Sequence, residues 1–322
     1  AAPNPLTYMT AGIAANLLTQ LEKGVEVMAL DVDNVKVEVE IAFRYEKAMT
    51  PEWTGYTDTV TTHILIDSDE SEESLEKLQE MALNAWVAGE GLANETEIVP
   101  ILVVNGEHWE TSGGKPGVVV SETSVVNEFT VTERADEISP ETLEIGEDFP
   151  AMDEGFAGDI GPDGFGMEFE VVALAETTDD IESPYLQKIT VRAIQENYIP
   201  WVLYADDSDN PDGIQKAPSS LEYLTAGTGL CLGSQLNGVM MQVADDFRVE
   251  QQINYREENV MTEGMSGYAD YIASYVLVDS DQPEEVLTNT FYLAVRMCFA
   301  GEAFLNETEM ITELYINGEA VE

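Results

Sequence analysis

The chain is poor in the residues from which most redox and metal sites are built. Among its 322 residues it has two cysteines, Cys231 and Cys298, and two histidines, His63 and His108. Two cysteines this far apart exclude a disulfide-rich scaffold. Two histidines exclude a histidine-rich metal site. Any chemistry that depends on a thiol must therefore use Cys231, Cys298 or both.

Positive charge and long apolar runs are also scarce. The 13 Lys and Arg residues face 63 Asp and Glu residues, which gives a net charge of −50. Because binding to nucleic acid or to an anionic membrane depends on basic residues, the sequence predicts neither as a partner. No apolar stretch approaches the roughly 18–20 residues that a membrane helix needs. We therefore expect a soluble protein.

The acidic residues are spread along the whole chain and are not confined to a tail. Self-repulsion of this size destabilises a compact protein unless salt screens it. The pattern is typical of a protein that works in concentrated salt. We therefore expect a cytoplasmic protein of a halophile, and a secreted acidic protein is the alternative.

An internal repeat divides the chain. Three blocks recur in the same order, and chance is a poor explanation for such collinearity. We therefore predict two copies of one domain, at 1–108 and 166–322, joined by a linker at 109–165 that contains candidate strands at 118–120 and 129–131. The matching blocks are residues 3–12 with 218–227, 64–69 with 276–281, and 88–97 with 300–309.

Hydrophobic periodicity predicts an α+β fold for each copy. In the second copy, strands at 168–175, 187–194 and 198–204 precede a helix that begins after Pro218, with Ser219 or Ser220 as its N-cap. Two further strands, a second helix that carries Cys298, and a final strand follow. The resulting order is βββ-α-ββ-α-β. The first copy begins at its first helix and lacks the three leading strands.

This element order, with a cysteine in each helix of the second copy, resembles the OsmC/Ohr family of thiol peroxidases. In that family a Pro-x-x-Leu-like helix start precedes a helical cysteine, and here Ser220 takes the proline position and Cys231 the cysteine position. The segment from Cys298 to Leu305 resembles the second-cysteine segment of the family, with Phe299 where a proline normally follows.

The resemblance also implies an architecture. Family members work as intertwined dimers with an active site at each subunit boundary, so two copies in one chain imply a covalently fused pseudo-dimer. In the first copy, Asn16 stands at the first cysteine position and Trp86 at the second. Neither side chain is a redox thiol. The first copy is therefore expected to be a structural partner, and the chain to keep one active site.

The resemblance implies a mechanism without a metal or an organic cofactor. Cys231 would attack a small hydroperoxide as a thiolate, Cys298 would resolve the sulfenic acid as a disulfide, and a dithiol reductant would restore both. The peroxidases of the family also use an arginine from the leading strands, for which Arg192 is the candidate. They use a glutamate beside the helix start, and Glu222 lies one position after the matching residue.

Two functions stay open at this point. The first is a thiol-dependent peroxidase that acts on organic hydroperoxides through Cys231, Cys298, Arg192 and Glu222. In the second, both cysteines are buried and inert, and the chain is a non-catalytic binding or structural protein of the OsmC fold. A homo-oligomer is compatible with either. The two are distinguished by whether the sulfurs lie close together and share a pocket with an arginine.

Overall fold

A computed structural model describes residues 3–109, 132–134, 164–178, 184–194, 200–208 and 216–321. The helices are α1 (Pro5–Met28), α2 (Glu72–Ala85), α3 (Val87–Ala93), α4 (Ser220–Met240), α5 (Glu284–Met297) and α6 (Phe299–Leu305). The strands are β1 (Val32–Ala48), β2 (Thr54–Ser68), β3 (Glu97–Val104), β4 (Glu107–Trp109), β5 (Thr132–Arg134), β6 (Phe165–Thr177), β7 (Leu186–Ile194), β8 (Trp201–Asp206), β9 (Asp246–Glu258), β10 (Ser266–Asp279), β11 (Glu309–Ile316) and β12 (Glu319–Ala320).

The α+β class is confirmed, and one order of elements occurs twice. From α1 to β4 the chain runs helix, two strands, two helices, two strands, and the same order returns from α4 to β12. The strands form two sheets, ordered β12-β11-β2-β1-β6-β7-β8-β5 and β4-β3-β10-β9. Helix α1 packs on β1, β6 and β7, and α4 packs on β9.

The last long strand of each repeat pairs with the other repeat. Strand β3 of the first repeat runs parallel to β10 of the second, with Ile101 opposite Tyr275. Strand β11 of the second repeat runs parallel to β2 of the first, with Glu313 opposite His63. Both sheets therefore contain strands of both repeats, and a single large apolar cluster draws residues from both.

Helices α1 and α4 cross at a glycine from each repeat. A Cβ on Gly12 would lie 2.6 Å from the Leu224 nitrogen, and one on Gly227 would lie 2.4 Å from the Met9 nitrogen. Because no real Cβ tolerates such distances, the two backbones approach this closely only with glycine at both positions. The Thr-Ala-Gly block that recurs in the sequence therefore marks this helix crossing.

Most predicted elements are confirmed by the structure. Helix α4 has Ser219 as its N-cap, and Glu222 completes a capping box with it. The second helix of that repeat was expected to carry Cys298, and this is wrong: α5 ends at Met297, and Cys298 lies between α5 and α6. The candidate linker strands at 118–120 and 129–131 lie outside the described residues.

The described residues contain neither a candidate membrane helix nor a candidate metal cluster. Among the helices that the structure describes, none is both long and apolar enough to cross a lipid bilayer. The same residues contain no group of three or more His, Cys, Asp or Glu side chains arranged to hold a metal ion.

Candidate functional site

Cys231 and Cys298 come together where α4 meets the junction of α5 and α6. Cys231 is on the buried side of α4. Cys298 is both the last cap of α5 and the first cap of α6, with an extended backbone (φ −81°, ψ 102°). Its sulfur accepts the N–H of Gly301 at 3.4 Å, so the thiol serves as the N-cap of α6. Both thiols are buried and neither is in a disulfide.

Four hydrogen-bonding groups act on the acidity of Cys231. The Cys298 thiol donates to it, as do the backbone N–H groups of Phe299 and Ala300 and the side-chain amide of Gln235. Gln235 is one helical turn after Cys231, a spacing that sets the two side chains on one face of α4. Its amide also donates to the Tyr45 hydroxyl at 3.1 Å, which holds it in place.

These donors separate the acidities of the two thiols. The hydrogen bond from Cys298, helped by the two backbone N–H groups and Gln235, lowers the pKa of Cys231 even though burial opposes ionisation. The pKa of Cys298 is raised well above its usual value, because its proton is held by Cys231 and because the thiol is buried. The pair therefore favours a thiolate at Cys231 and a thiol at Cys298.

An apolar cavity of about 290 Å³ reaches Cys298. Cys298 lines it directly, and so do Thr228 and Leu232, which flank Cys231 on α4. Arg296 and Glu302 also line it. Its aliphatic walls come from both repeats and consist of Ile98, Pro100, Leu232, Ile272, Val295 and Leu305. The cavity therefore suits a small, largely apolar molecule brought beside the thiols.

The first repeat supplies one wall of the site through β2. The Thr57 hydroxyl donates to the Phe299 carbonyl at 3.1 Å, and the Thr57 N–H donates to the Glu302 carboxylate. Burial raises the pKa of Glu302, although the hydrogen bonds from the Thr57 N–H and the Asn306 side chain oppose the shift. A Cβ on Gly55 would lie 2.7 Å from the Met297 carbonyl, so β2 lies directly against the α5–α6 junction. The thiol pair is therefore held between the two repeats.

The first repeat has the same local structure without sulfur. The Asn16 side-chain oxygen accepts the N–H of Ala88 at 3.1 Å. The Trp86 indole packs so closely on Gly89 that a Cβ on this glycine would lie 2.1 Å from a ring atom. The indole N–H donates to the Ile13 carbonyl at 3.2 Å. Asn16 and Trp86 thus occupy the places of Cys231 and Cys298, as the sequence alignment of the repeats predicts.

Arg192 is not brought to the thiols. On β7 the side chains of Ile189, Val191 and Ala193 point into the main core, so Arg192 points to the opposite face of the sheet. It stands opposite Val172, which belongs to a separate apolar cluster, and the Glu38 carboxylate acts on its charge. The structure therefore does not support the expectation that Arg192 assists Cys231.

Glu222 is also remote from the sulfurs. It is exposed in the first turn of α4, where its carboxylate accepts the N–H of Ser219 at 2.7 Å. Nine residues of helix separate it from Cys231, a rise of about 13 Å. The residue therefore caps the helix that carries Cys231 and lies away from its sulfur.

Two other side chains stand where sequence reasoning did not place them. Arg296 lines the cavity; it is exposed and donates to the Pro51 carbonyl at 2.5 Å. Gln235 was missed altogether. Its signal was its i+4 spacing from Cys231 on a helix.

The fold and the site together define an α+β protein that holds two buried, hydrogen-bonded thiols beside an apolar cavity. No family model, no curated protein and no solved structure matches the chain. The likeness to the OsmC/Ohr family therefore rests on the residues and the element order given above.

Proposed function

We propose that this chain is a thiol-dependent peroxidase that reduces organic hydroperoxides through Cys231 and Cys298. The observation that carries the proposal is the hydrogen bond from the Cys298 thiol to the Cys231 sulfur, which also collects three N–H donors. A thiolate is the reactive form of cysteine, and this arrangement favours one at a single position of the pair. The resemblance to the OsmC/Ohr family and its fused pseudo-dimer supports the same reading.

The reaction consumes one hydroperoxide and two thiols. The Cys231 thiolate attacks the peroxide, the O–O bond breaks, and the sulfur keeps the hydroxyl group as a sulfenic acid. The alkoxide leaves as an alcohol after taking the proton of Cys298. The Cys298 sulfur then attacks Cys231, a disulfide forms, and hydroxide leaves and is protonated to water. A dithiol reductant returns the pair to the reduced state, and no cofactor takes part.

In this chain, neutral hydrogen-bond donors would stabilise the Cys231 thiolate, a role that an arginine has in the peroxidases of the family. The donors that act on the Cys231 sulfur are a thiol, two backbone amides and a side-chain amide. Each neutral hydrogen bond contributes about 0.5–1.5 kcal/mol. Three or four such bonds in a buried site offset part of the cost of burying a thiolate. We therefore assign Gln235 the positioning role that the sequence assigned to Arg192.

The apolar lining of the cavity favours a substrate that carries an organic group. Its aliphatic walls would bury the organic group of a hydroperoxide next to Thr228 and Leu232, which flank Cys231. The exposed Arg296 stands at the polar part of the lining. We propose that the protein acts in the salt-rich cytoplasm of a halophile, in keeping with its charge of −50.

The test is the consumption of cumene hydroperoxide by the protein with a dithiol reductant in concentrated salt. We expect turnover by the unaltered chain, none by Cys231→Ser, and none beyond the first cycle by Cys298→Ser. In Cys298→Ser, a sulfenic-acid reagent should label Cys231. Absence of turnover by the unaltered, fully reduced chain would contradict the proposal.

The apolar cavity also favours a second candidate, a binding protein without redox chemistry. Cys231 is fully buried, and the cavity touches Cys298 first. If the reduced protein binds an apolar probe such as cumyl alcohol but both thiols survive excess hydroperoxide, the binding function is the correct one. Leu232→Trp, which fills the cavity, should abolish the binding in that case.

A further inference from the structure

Cys298 stands where the first repeat has a tryptophan. In the first repeat the Trp86 indole packs on Gly89, and its N–H donates to the Ile13 carbonyl. The matching residues of the second repeat are, in the same order, Cys298, Gly301 and Thr228. All three line the apolar cavity. Because a thiol is much smaller than an indole, the cavity lies at the place where the first repeat holds an aromatic ring.

The two matching glycines show how much the space differs. A Cβ on Gly89 would lie 2.1 Å from a ring atom of Trp86. A Cβ on Gly301 would have the Cys298 sulfur as its nearest neighbour, at 3.5 Å, which is an ordinary van der Waals distance. The second repeat thus keeps the glycine that accommodates an indole but has a thiol in place of the ring. An aromatic molecule in the cavity would restore the packing that the first repeat has.

A glutamine interrupts the face of β9 that points into the core. Val249 and Ile253 pack against the main core, and Gln251 stands between them on the same face of the strand. It lies opposite Ser274 of β10, and both residues line the cavity. A polar group is costly at such a position unless it is hydrogen-bonded. The glutamine therefore indicates a polar partner in the cavity.

The first repeat has an apolar residue at the matching position. Thr62 matches Ser274, two residues before the recurring block that begins at Ile64. Thr62 stands opposite Val39, which is fully buried in the core. Gln251 therefore matches Val39, and the fold that the two repeats share does not need a polar residue here. The role of Gln251 belongs to the cavity that it lines.

The Gln251 side chain is fixed at its base and unpaired at its tip. A Cβ on Gly229 of α4 would lie 3.0 Å from the Gln251 Cβ, so the base of the side chain packs directly on the helix. Among the residues that the structure describes, the side-chain oxygen of Gln251 is buried and has no hydrogen-bond partner. A hydroxyl group on a molecule in the cavity would supply that partner, because a hydroxyl both donates and accepts.

We propose that the cavity binds a small aromatic molecule that carries a hydroxyl or hydroperoxyl group. The ring takes the place that the Trp86 indole has in the first repeat, against Gly301 and Thr228, and the O–H group donates to the Gln251 oxygen. The inference rests on the proposed function for the nature of the substrate, since an aromatic hydroperoxide and the alcohol formed from it both carry such an O–H. A hydrocarbon of the same shape would leave Gln251 unpaired, so this residue determines specificity.

The test is equilibrium dialysis of the reduced protein in concentrated salt against cumyl alcohol and against cumene, which lacks the hydroxyl. We expect both probes to bind. Gln251→Met keeps the length of the side chain and removes its amide. In this variant the ratio of the cumyl alcohol affinity to the cumene affinity should fall about tenfold, the contribution of one hydrogen bond in a buried site.

Gln252→Met is the matched control for Gln251→Met. Gln252 lies opposite Ala273, which belongs to a separate apolar cluster, so its side chain points to the other face of the sheet. The affinity ratio should therefore be that of the unaltered chain. Cumene binding by Gln251→Met shows in the same experiment that this variant is folded and that its cavity is intact.

Cys298→Trp tests the place of the ring. The variant restores the residue of the first repeat beside the glycine that accommodates it there, so it should unfold cooperatively and bind neither probe. Cys298→Ser, which removes the sulfur without filling the cavity, should bind both probes like the unaltered chain. If Cys298→Trp does not fold, Gln251→Met decides the test alone.

Three results would overturn the inference: no binding of either probe by the unaltered chain, the same affinity ratio in Gln251→Met, or binding by a folded Cys298→Trp. Each is distinct from a failure of the proposed function. Binding that depends on both residues, with thiols that survive excess hydroperoxide, would refute the peroxidase and leave the inference standing. Turnover of cumene hydroperoxide, with binding that neither variant alters, would do the reverse.

Discussion

Asn16 and Cys231 occupy equivalent places in the two repeats, and each accepts a backbone N–H from the start of the short helix that faces it. The donor is Ala88 for Asn16 and Ala300 for Cys231. The fold thus requires a hydrogen-bond acceptor at this position, and either an amide oxygen or a sulfur can act as that acceptor. Only sulfur adds redox chemistry. The structural and the chemical contributions of the site can therefore be measured separately.

Asn16→Ala measures the structural contribution. The change removes the acceptor of the buried Ala88 N–H, and it removes a donor to the Ser220 hydroxyl, which Asn16 contacts at 3.2 Å. Leaving the Ala88 N–H without its acceptor should lower the free energy of unfolding by about 1–3 kcal/mol, measured by chemical denaturation. The control is Asn289→Ala on the exposed side of α5, which should change it by less than about 0.5 kcal/mol. Equal effects of both would contradict the assignment.

Gln235→Ala measures the contribution of the side-chain donor to Cys231. Without that hydrogen bond the pKa of Cys231 should rise, and alkylation of the thiolate at neutral pH should slow by up to about tenfold. The pH dependence of alkylation gives the pKa directly. Gln20→Ala changes the matching glutamine of the first repeat, where no thiol stands, and should leave the alkylation rate unchanged. If both variants alkylate like the unaltered chain, Gln235 has no positioning role.

Gly227→Ala tests the crossing of α1 and α4. The added methyl group would stand 2.4 Å from the Met9 nitrogen and 2.7 Å from its Cα, both backbone atoms. Because backbone cannot move aside cheaply, the helices must separate, and the free energy of unfolding should fall by about 3 kcal/mol or more. Gly238→Ala on the same helix meets nothing within 4 Å and should stabilise the protein by about 0.5–1 kcal/mol. Two variants of equal stability would show that the helices do not cross here.

Glu22 should make the stability depend on pH. Burial raises the pKa of this carboxyl to about 8, with the nearby Asp207 adding to the shift and a hydrogen bond from Gln187 opposing it. A carboxyl whose pKa is higher in the folded state binds its proton more tightly there. Its contribution is therefore complete below the unfolded pKa near 4.5 and is lost as the pH rises to about 8.

Glu22→Gln should remove this loss. The variant should gain stability relative to the unaltered chain between about pH 5 and about pH 9, on the order of a few kcal/mol by chemical denaturation. Part of the Glu22 side chain reaches the surface, so the gain should fall short of that for a fully buried carboxyl. For Glu80→Gln, at an exposed position of α2, the free energy of unfolding should change with pH as it does for the unaltered chain. If the stability of Glu22→Gln depends on pH as steeply as that of the unaltered chain, Glu22 is not the source of the pH dependence.

Local signals in the sequence predicted the elements of the fold well. Ser219 and Glu222 marked the start of α4, and the alternation of apolar residues marked β6, β7 and β11. The sequence could not predict that the last long strand of each repeat pairs with a strand of the other repeat. The pairing of β11 with β2 joins residues some 250 positions apart, and their apolar pattern fits an edge of either sheet equally well.

The sequence predicted the two cysteines of the site, but it did not predict the groups that surround them. The resemblance directed attention to Arg192, although its alternation with Ile189, Val191 and Ala193 already placed it away from the core. The break at Cys298 could not be read, because the residues around it continue a helical pattern. That break aims the backbone N–H groups of Phe299 and Ala300 at the sulfur of Cys231.

The most direct test of the central claim is a titration of the reduced protein with cumene hydroperoxide, followed by a count of thiols and an intact mass. We expect that one equivalent of peroxide removes both thiols of each chain and lowers the mass by the two hydrogens of a Cys231–Cys298 disulfide. Cys231→Ser should keep its remaining thiol under the same treatment. Two free thiols in the unaltered chain after excess peroxide would contradict the account.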